Sequence, residues 1–117
     1  MSEMLPMTTD HCTVERDGHV VILTMNRPEA RNALSPDMLV GLADGYQYVD
    51  DHDDVFCAIL TGAGGQFSAG ADLKAVGQPS MSEHVRARQA EEPGMHWKAL
   101  LRDYRMSKPL IAAVEGY

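Results

Sequence analysis

Residues 13–16 and 19–25 are two runs with β-type patterning, joined by Asp17-Gly18. A short Asp-Gly link between such runs predicts a hairpin, because tight hairpin turns need the positive φ that glycine reaches freely. Asn26-Arg27-Pro28 closes the second run, since proline has no N–H for a ladder. At Ser35-Pro36 the period changes. Serine is a good N-cap and proline suits the first helical position. Behind them Met38, Leu42, Tyr46 and Val49 recur at helical spacing, with Leu39 widening the stripe, until the acidic Asp50-Asp51 opposes the helix dipole. Residues 55–60 are a short continuous apolar run, the pattern of a strand buried on both faces. A glycine-rich loop over 62–65 follows, and residues 67–74 are expected to open a short helix. Ser80 with Glu83 suggests a capping box for a helix reaching about Ala90. A further helix is expected over about 95–106, with Met95, Ala99 and Leu100 on one face, and a buried strand over 110–114. The order is strand, strand, helix, strand, helix, helix, strand: an α/β chain with at least the later strands parallel.

Composition narrows the field. A chain of 117 residues is one domain or part of one, and 44% hydrophobic residues suffice for a core. A net charge of −7 argues against nucleic acid or an anionic membrane as partner, though an acidic protein can still hold a local cationic pocket. No apolar stretch approaches the roughly 20 residues that span a bilayer. Residues 1–10 lack the basic region and apolar core of a secretory signal, so residues 1–12 read as a flexible leader. Two cysteines make no disulfide framework, and Cys57 in its apolar run reads as a small buried hydrophobe rather than a nucleophile. A reducing, cytoplasmic setting fits these features.

The segment 59–74 carries the candidate chemistry. A buried strand, a glycine-rich loop and a helix start near Ala71 would present unpaired backbone N–H groups at the positive end of a helix dipole. Such an end suits a bound or developing anion. Gly70 and Ala71 are small enough to let an oxygen approach. By spacing alone an ordinary strand–helix turn explains the same residues. Other glycine or serine motifs do not fit. There is no Gly-Lys pair for a phosphate loop, Phe67 stands where a dinucleotide fingerprint needs its last glycine, and Gln66 precedes Ser68 where a nucleophile elbow needs glycine. No Cys/His spacing resembles a zinc site. Asp72 reads as a local helix cap, His84 and His96 as surface or interhelical residues, and Glu91 and Glu92 as solvated. The acidic cluster over 50–54 reads as a charged loop, and Trp97, Tyr104 and Met106 as core or interface side chains.

Five segments in sequence, VVILTMNRPE at 20–29, RNAL at 31–34, AILTG at 58–62, FSAGADLK at 67–74 and KPLIAAVEGY at 108–117, resemble the crotonase (enoyl-CoA hydratase/isomerase) superfamily. The resemblance implies the crotonase-like ββα spiral of the ClpP/crotonase type. It places residues 13–117 in its N-terminal part, truncated before the second oxyanion-hole loop. It implies binding of acyl-CoA thioesters, with two backbone N–H groups polarising the thioester carbonyl and stabilising an enolate oxyanion. One donor maps to Ala71. Ala30, Ala69, Gly70, Ala71, Asp72, Leu73 and Lys74 map to the substrate and CoA contacts. Lys74 or Arg31 could face CoA phosphates, or each could be an ordinary surface charge. The second donor and the glutamates that add water are expected beyond Tyr117, and Glu115 stands where many relatives have asparagine. No separate cofactor is expected, because CoA belongs to the substrate, and no metal. A homo-oligomer, trimeric or hexameric in the family, completes the expectation. The default reaction is hydration of a 2-enoyl-CoA. The alternative is a catalytically incomplete protein that only associates or binds CoA.

Overall fold

The computed structural model describes residues 2–71 and 78–116. Five strands form one sheet in the order β1 (Ser2–Met4), β2 (Cys12–Asp17), β3 (Val20–Met25), β4 (Cys57–Gly62) and β5 (Leu110–Ala113). β1–β2 and β2–β3 are antiparallel, whereas β3–β4 and β4–β5 are parallel. The helices are α1 (Pro36–Asp51), α2 (Glu83–Glu91) and α3 (Met95–Ala99), with a single 3-10 turn at Pro28–Ala30.

The expected hairpin is present. Its loop is Gly18-His19 rather than Asp17-Gly18, since Asp17 pairs with Val20 and Gly18 takes φ +62°. α1 begins as its sequence predicts: the Ser35 hydroxyl accepts from the Met38 N–H at 3.3 Å, and Pro36 occupies the first turn. Its stripe of Met38, Leu42, Tyr46 and Val49 is buried against Cys12, Val14, Val21, Leu23 and Met25. Two glycines let the helix lie close to the sheet. A Cβ on Gly41 would stand 2.7 Å from the Cys12 Cβ, and one on Gly45 would stand 2.5 Å from a Leu23 methyl. α2 is tied to α1 by Arg88, whose guanidinium donates to both carboxylate oxygens of Asp44 at 2.8 and 2.6 Å.

Several expectations are corrected. The supposed flexible leader pairs with β2, and Leu5 is buried with its N–H on the Val14 carbonyl at 2.7 Å. β4 starts at Cys57 because the Phe56 N–H is taken by His19 O at 2.8 Å, and its ring stacks on His19. α2 is capped by Ser82, not Ser80; Ser80 instead donates to Asp37 at 2.6 Å. α3 stops at Ala99 in a Schellman cap. The Arg102 N–H bonds Trp97 O at 2.8 Å, the Leu101 N–H bonds Lys98 O at 2.9 Å, and Leu101 sits at φ +59°. Glycine usually takes that position, so the sequence carries no stop signal there. Trp97, Leu100 and Leu101 consequently remain exposed.

The two parallel strands are buried on one face only. Ala58 and Leu60 face the core beneath α1, as does Leu110. Ile59 and Ile111 face away, and Ile111 is 53% exposed. The expectation of strands buried on both faces fails because, among the described residues, the helical layer stacks through α1 on a single side of the sheet.

Candidate functional site

Two loops leave the same end of the parallel pair. One follows β3 over residues 26–35 and the other follows β4 over residues 62–71. They run side by side: Ala69 N–H donates to Arg31 O at 2.9 Å, and Leu34 N–H donates to Gly70 O at 2.7 Å. Leu34 and Ala71 thereby form an isolated parallel bridge. Ala30 closes the 3-10 turn, donating to Arg27 O and accepting from Ala33 N–H, each at 3.0 Å. The structure therefore brings Ala30, Ala69, Gly70 and Ala71 into one place. Asp72, Leu73 and Lys74 lie outside the described residues, as does the helix they were expected to open. Ala71 itself is a bridge residue.

The bridge fixes which N–H groups are spent. In a parallel pairing of this kind one residue turns its N–H to the partner strand, and the opposite residue turns its own away. Leu34 is the residue that bonds across. The Ala71 N–H points to the other side, has no acceptor among the described residues, and belongs to an exposed residue. Gly70 precedes it at φ +96°, a conformation that side chains strongly disfavour.

Beneath these loops lies Asn32, fully buried at φ +53°. Its amide nitrogen donates to Ala63 O and Gln66 O, both at 2.9 Å, and its amide oxygen accepts from Arg27 N–H at 2.8 Å. Ser68, rejected as a nucleophile on its sequence neighbours, donates to Asn32 O at 2.7 Å and accepts from Gly70 N–H at 3.2 Å. Its hydroxyl is occupied in shaping the loop. Sequence reasoning missed both roles. The one available signal was an asparagine directly after a proline-led turn, a residue type that tolerates left-handed backbone.

A cleft of about 330 Å³ adjoins the bridge, lined by Leu34, Leu39, Val40 and Met95, with Gln89, Glu92 and His96 at its polar side. Bridge partners present their side chains to the same face. Leu34, the bridge partner of Ala71, lines the cleft. The volume falls within the range of small-ligand pockets, roughly 300–1,000 Å³.

Several other ionisable residues have structural partners. The acidic cluster divides: Asp54 pairs with Arg16 at 2.6 Å, while Asp50 receives Tyr104, the Ser107 N–H at 3.0 Å and the Ser107 hydroxyl at 2.8 Å. Desolvation pushes the Asp50 carboxyl up, but those hydrogen bonds and the charge of Lys108 outweigh it and hold it below the usual carboxylate range. Glu91 and Glu92 stay solvated as expected, with side chains 65% and 43% exposed, while reaching Arg88 at 3.2 and 3.4 Å. His84 is exposed, and His96 is exposed beside Trp97. Among the described residues no group of three metal-binding side chains is assembled, and no helix is long and apolar enough to cross a membrane.

Comparison with known proteins agrees with this architecture. The family model described as enoyl-CoA hydratase/isomerase matches residues 15–117. Enoyl-CoA hydratase EchA19 of Mycobacterium tuberculosis is 48% identical over 103 residues, covering 88% of this chain and 38% of its own length. The (E)-benzylidenesuccinyl-CoA hydratase of Thauera aromatica is 36% identical over 106 residues, covering 90% of this chain and 39% of its own. Among solved structures, EchA1_1 of Mycobacterium paratuberculosis superposes with a TM-score of 0.71 at 36% identity, over 91% of this chain and 39% of that one. The chain thus spans less than half the length of the relatives it matches. With the family match covering nearly the whole chain and the α/β sheet shared with crotonase-fold structures, the chain belongs to the enoyl-CoA hydratase/isomerase family.

Proposed function

We propose that this chain binds the thioester end of an acyl-CoA and supplies one backbone hydrogen bond, from Ala71, to the thioester carbonyl. The whole protein would then hydrate a 2-enoyl-CoA. The observation that carries the reading is the Ala71 N–H: the Gly70 carbonyl faces Leu34, so the trans peptide turns this N–H the other way, where it meets no acceptor among the described residues. A donor aimed at an oxygen whose charge grows during reaction binds the transition state better than the ground state. Ala30 and the 69–71 segment stand together as the expected wall for CoA, to which the family resemblance adds Asp72, Leu73 and Lys74 as contacts, and the Leu34–Met95 cleft has room for a small acyl group. CoA enters as part of the substrate, not as a cofactor. A cytoplasmic setting accords with two free thiols, Cys12 and Cys57.

A second reading, CoA binding and self-association without turnover, is favoured by the open apolar face of the sheet. Two measurements on the 117-residue chain separate the readings. Crotonyl-CoA should raise the thermal stability more than CoA does, and a ligand at 100 times its Kd stabilises by about 2.7 kcal/mol. Ala71→Val, which crowds the oxygen's approach, should lose about 1 kcal/mol of thioester binding, the scale of one ground-state hydrogen bond. Equal or absent stabilisation by crotonyl-CoA and CoA would sink the donor reading. Loss of enoyl absorbance with this chain would instead refute the reading without turnover.

A further inference from the structure

We propose that Asn32 is a positioning residue for the Ala71 donor: its buried side chain clamps the loop after β4 to the loop after β3 and so sets the direction of that N–H. The inference rests on the reading of Ala71 as an oxyanion donor.

A carboxamide offers two donors and an oxygen acceptor. At Asn32 both donors are used across the gap, on Ala63 O and Gln66 O at 2.9 Å, while the oxygen anchors the near loop through Arg27 N–H at 2.8 Å. The backbone of the same residue is equally committed. Its N–H reaches Arg27 O at 2.9 Å, and its C=O accepts from the Ser68 hydroxyl at 2.7 Å. Ser68 then accepts from Gly70 N–H at 3.2 Å. A single buried residue is thus linked at three points to the 62–71 loop, and through Ser68 the chain of bonds ends one residue before Ala71.

Other side chains cannot reproduce this arrangement. Aspartate has the right shape but, when ionised, only accepts, so it would face two carbonyls with a negative charge. Leucine would leave three buried polar groups unpaired, each costly without water. Serine is too short to reach both carbonyls. The fit extends to Gly62, where an added Cβ would stand 2.2 Å from Gln66 O, 2.5 Å from Phe67 O and 2.8 Å from the Asn32 amide nitrogen. The loop has closed onto the amide with no room for a methyl group. The left-handed backbone at both Arg31 and Asn32, φ +53° each, is strain that this bonding sustains. Asn32 is fully buried, so it acts through the loop and not on the substrate.

The test uses the full chain and crotonyl-CoA carrying 13C at the thioester carbonyl, observed by infrared difference spectroscopy. In the wild type the bound carbonyl stretch should move to lower frequency. Asn32→Asp should keep a cooperative melt and its affinity for CoA, yet lose most of that shift. Its preference for crotonyl-CoA over CoA should fall by roughly tenfold, about one hydrogen bond's worth. Ser68→Ala, which removes the final link without adding charge, should reduce the shift while folding normally, and it decides the matter if Asn32→Asp does not fold. A full carbonyl shift in either folded variant overturns the proposal. A wild-type complex with no shift overturns the Ala71 reading beneath it.

Discussion

Cys12 shows how far the interior determines the behaviour of a single group. Its side chain has no solvent exposure, and burial pushes the thiol up from 9.0 to about 12. The folded value lies above the unfolded one, so the contribution to stability is complete below about pH 9 and is lost as pH rises towards 12. Two results are expected. The melting temperature should fall over that alkaline window, with a flatter fall in Cys12→Ala. At neutral pH a thiol reagent should modify Cys57 at most, and Cys12 only after unfolding; rapid native labelling of both would contradict the burial. Residue-scale chemistry was partly legible in the sequence. The small residues Gly70 and Ala71 advertised close approach. Asn32 advertised nothing comparable, because its role depends on carbonyls at 63 and 66, more than thirty positions away.

At the scale of elements, local signals succeeded where the chemistry was local. The Ser35-Pro36 cap, the α1 stripe and the Gly18 turn each depend on neighbours within a few positions. Failures came where tertiary partners chose. Ser80 left its capping box for Asp37, Phe56 left the strand for His19, and the end of α3 was set by hydrogen bonds at Leu101 that no glycine announced. The close packing of α1 on β2 was equally invisible, since a helix with two glycines looks weak by propensity alone. It yields a graded prediction. Gly41→Ala gains roughly 1 kcal/mol of helix propensity but overpacks the Cys12 Cβ, which the backbone of β2 holds in place; overpacking costs about 1–3 kcal/mol. The clash should win, lowering the urea midpoint with an unchanged slope. Gly45→Ala meets the end of the Leu23 side chain, which can rotate, so it should cost less. The reverse order would mean that α1 does not sit this close to β2.

For the molecule as a whole, the asymmetry of the sheet matters most. Cross-strand register aligns Ile22, Ile59 and Ile111 in one row across β3, β4 and β5, on the face away from α1. Val20 and Cys57 pair beside them on the same face. Parallel strands are normally covered on both faces. A contiguous apolar face of this kind favours association by the same burial of surface that drives folding. A second copy of the chain, laying its own row against this one, is the occupant available in a pure solution. Sedimentation should therefore show a mass that rises with concentration. Ile111→Lys places a charge at the most exposed position of the row, at the sheet edge, where charge opposes pairing of strands as well as faces. It should shift the chain towards monomer while the helical core, on the opposite face, keeps its thermal stability. A wild-type chain that stays monomeric across the accessible concentration range would show that the isoleucine row tolerates water unaided.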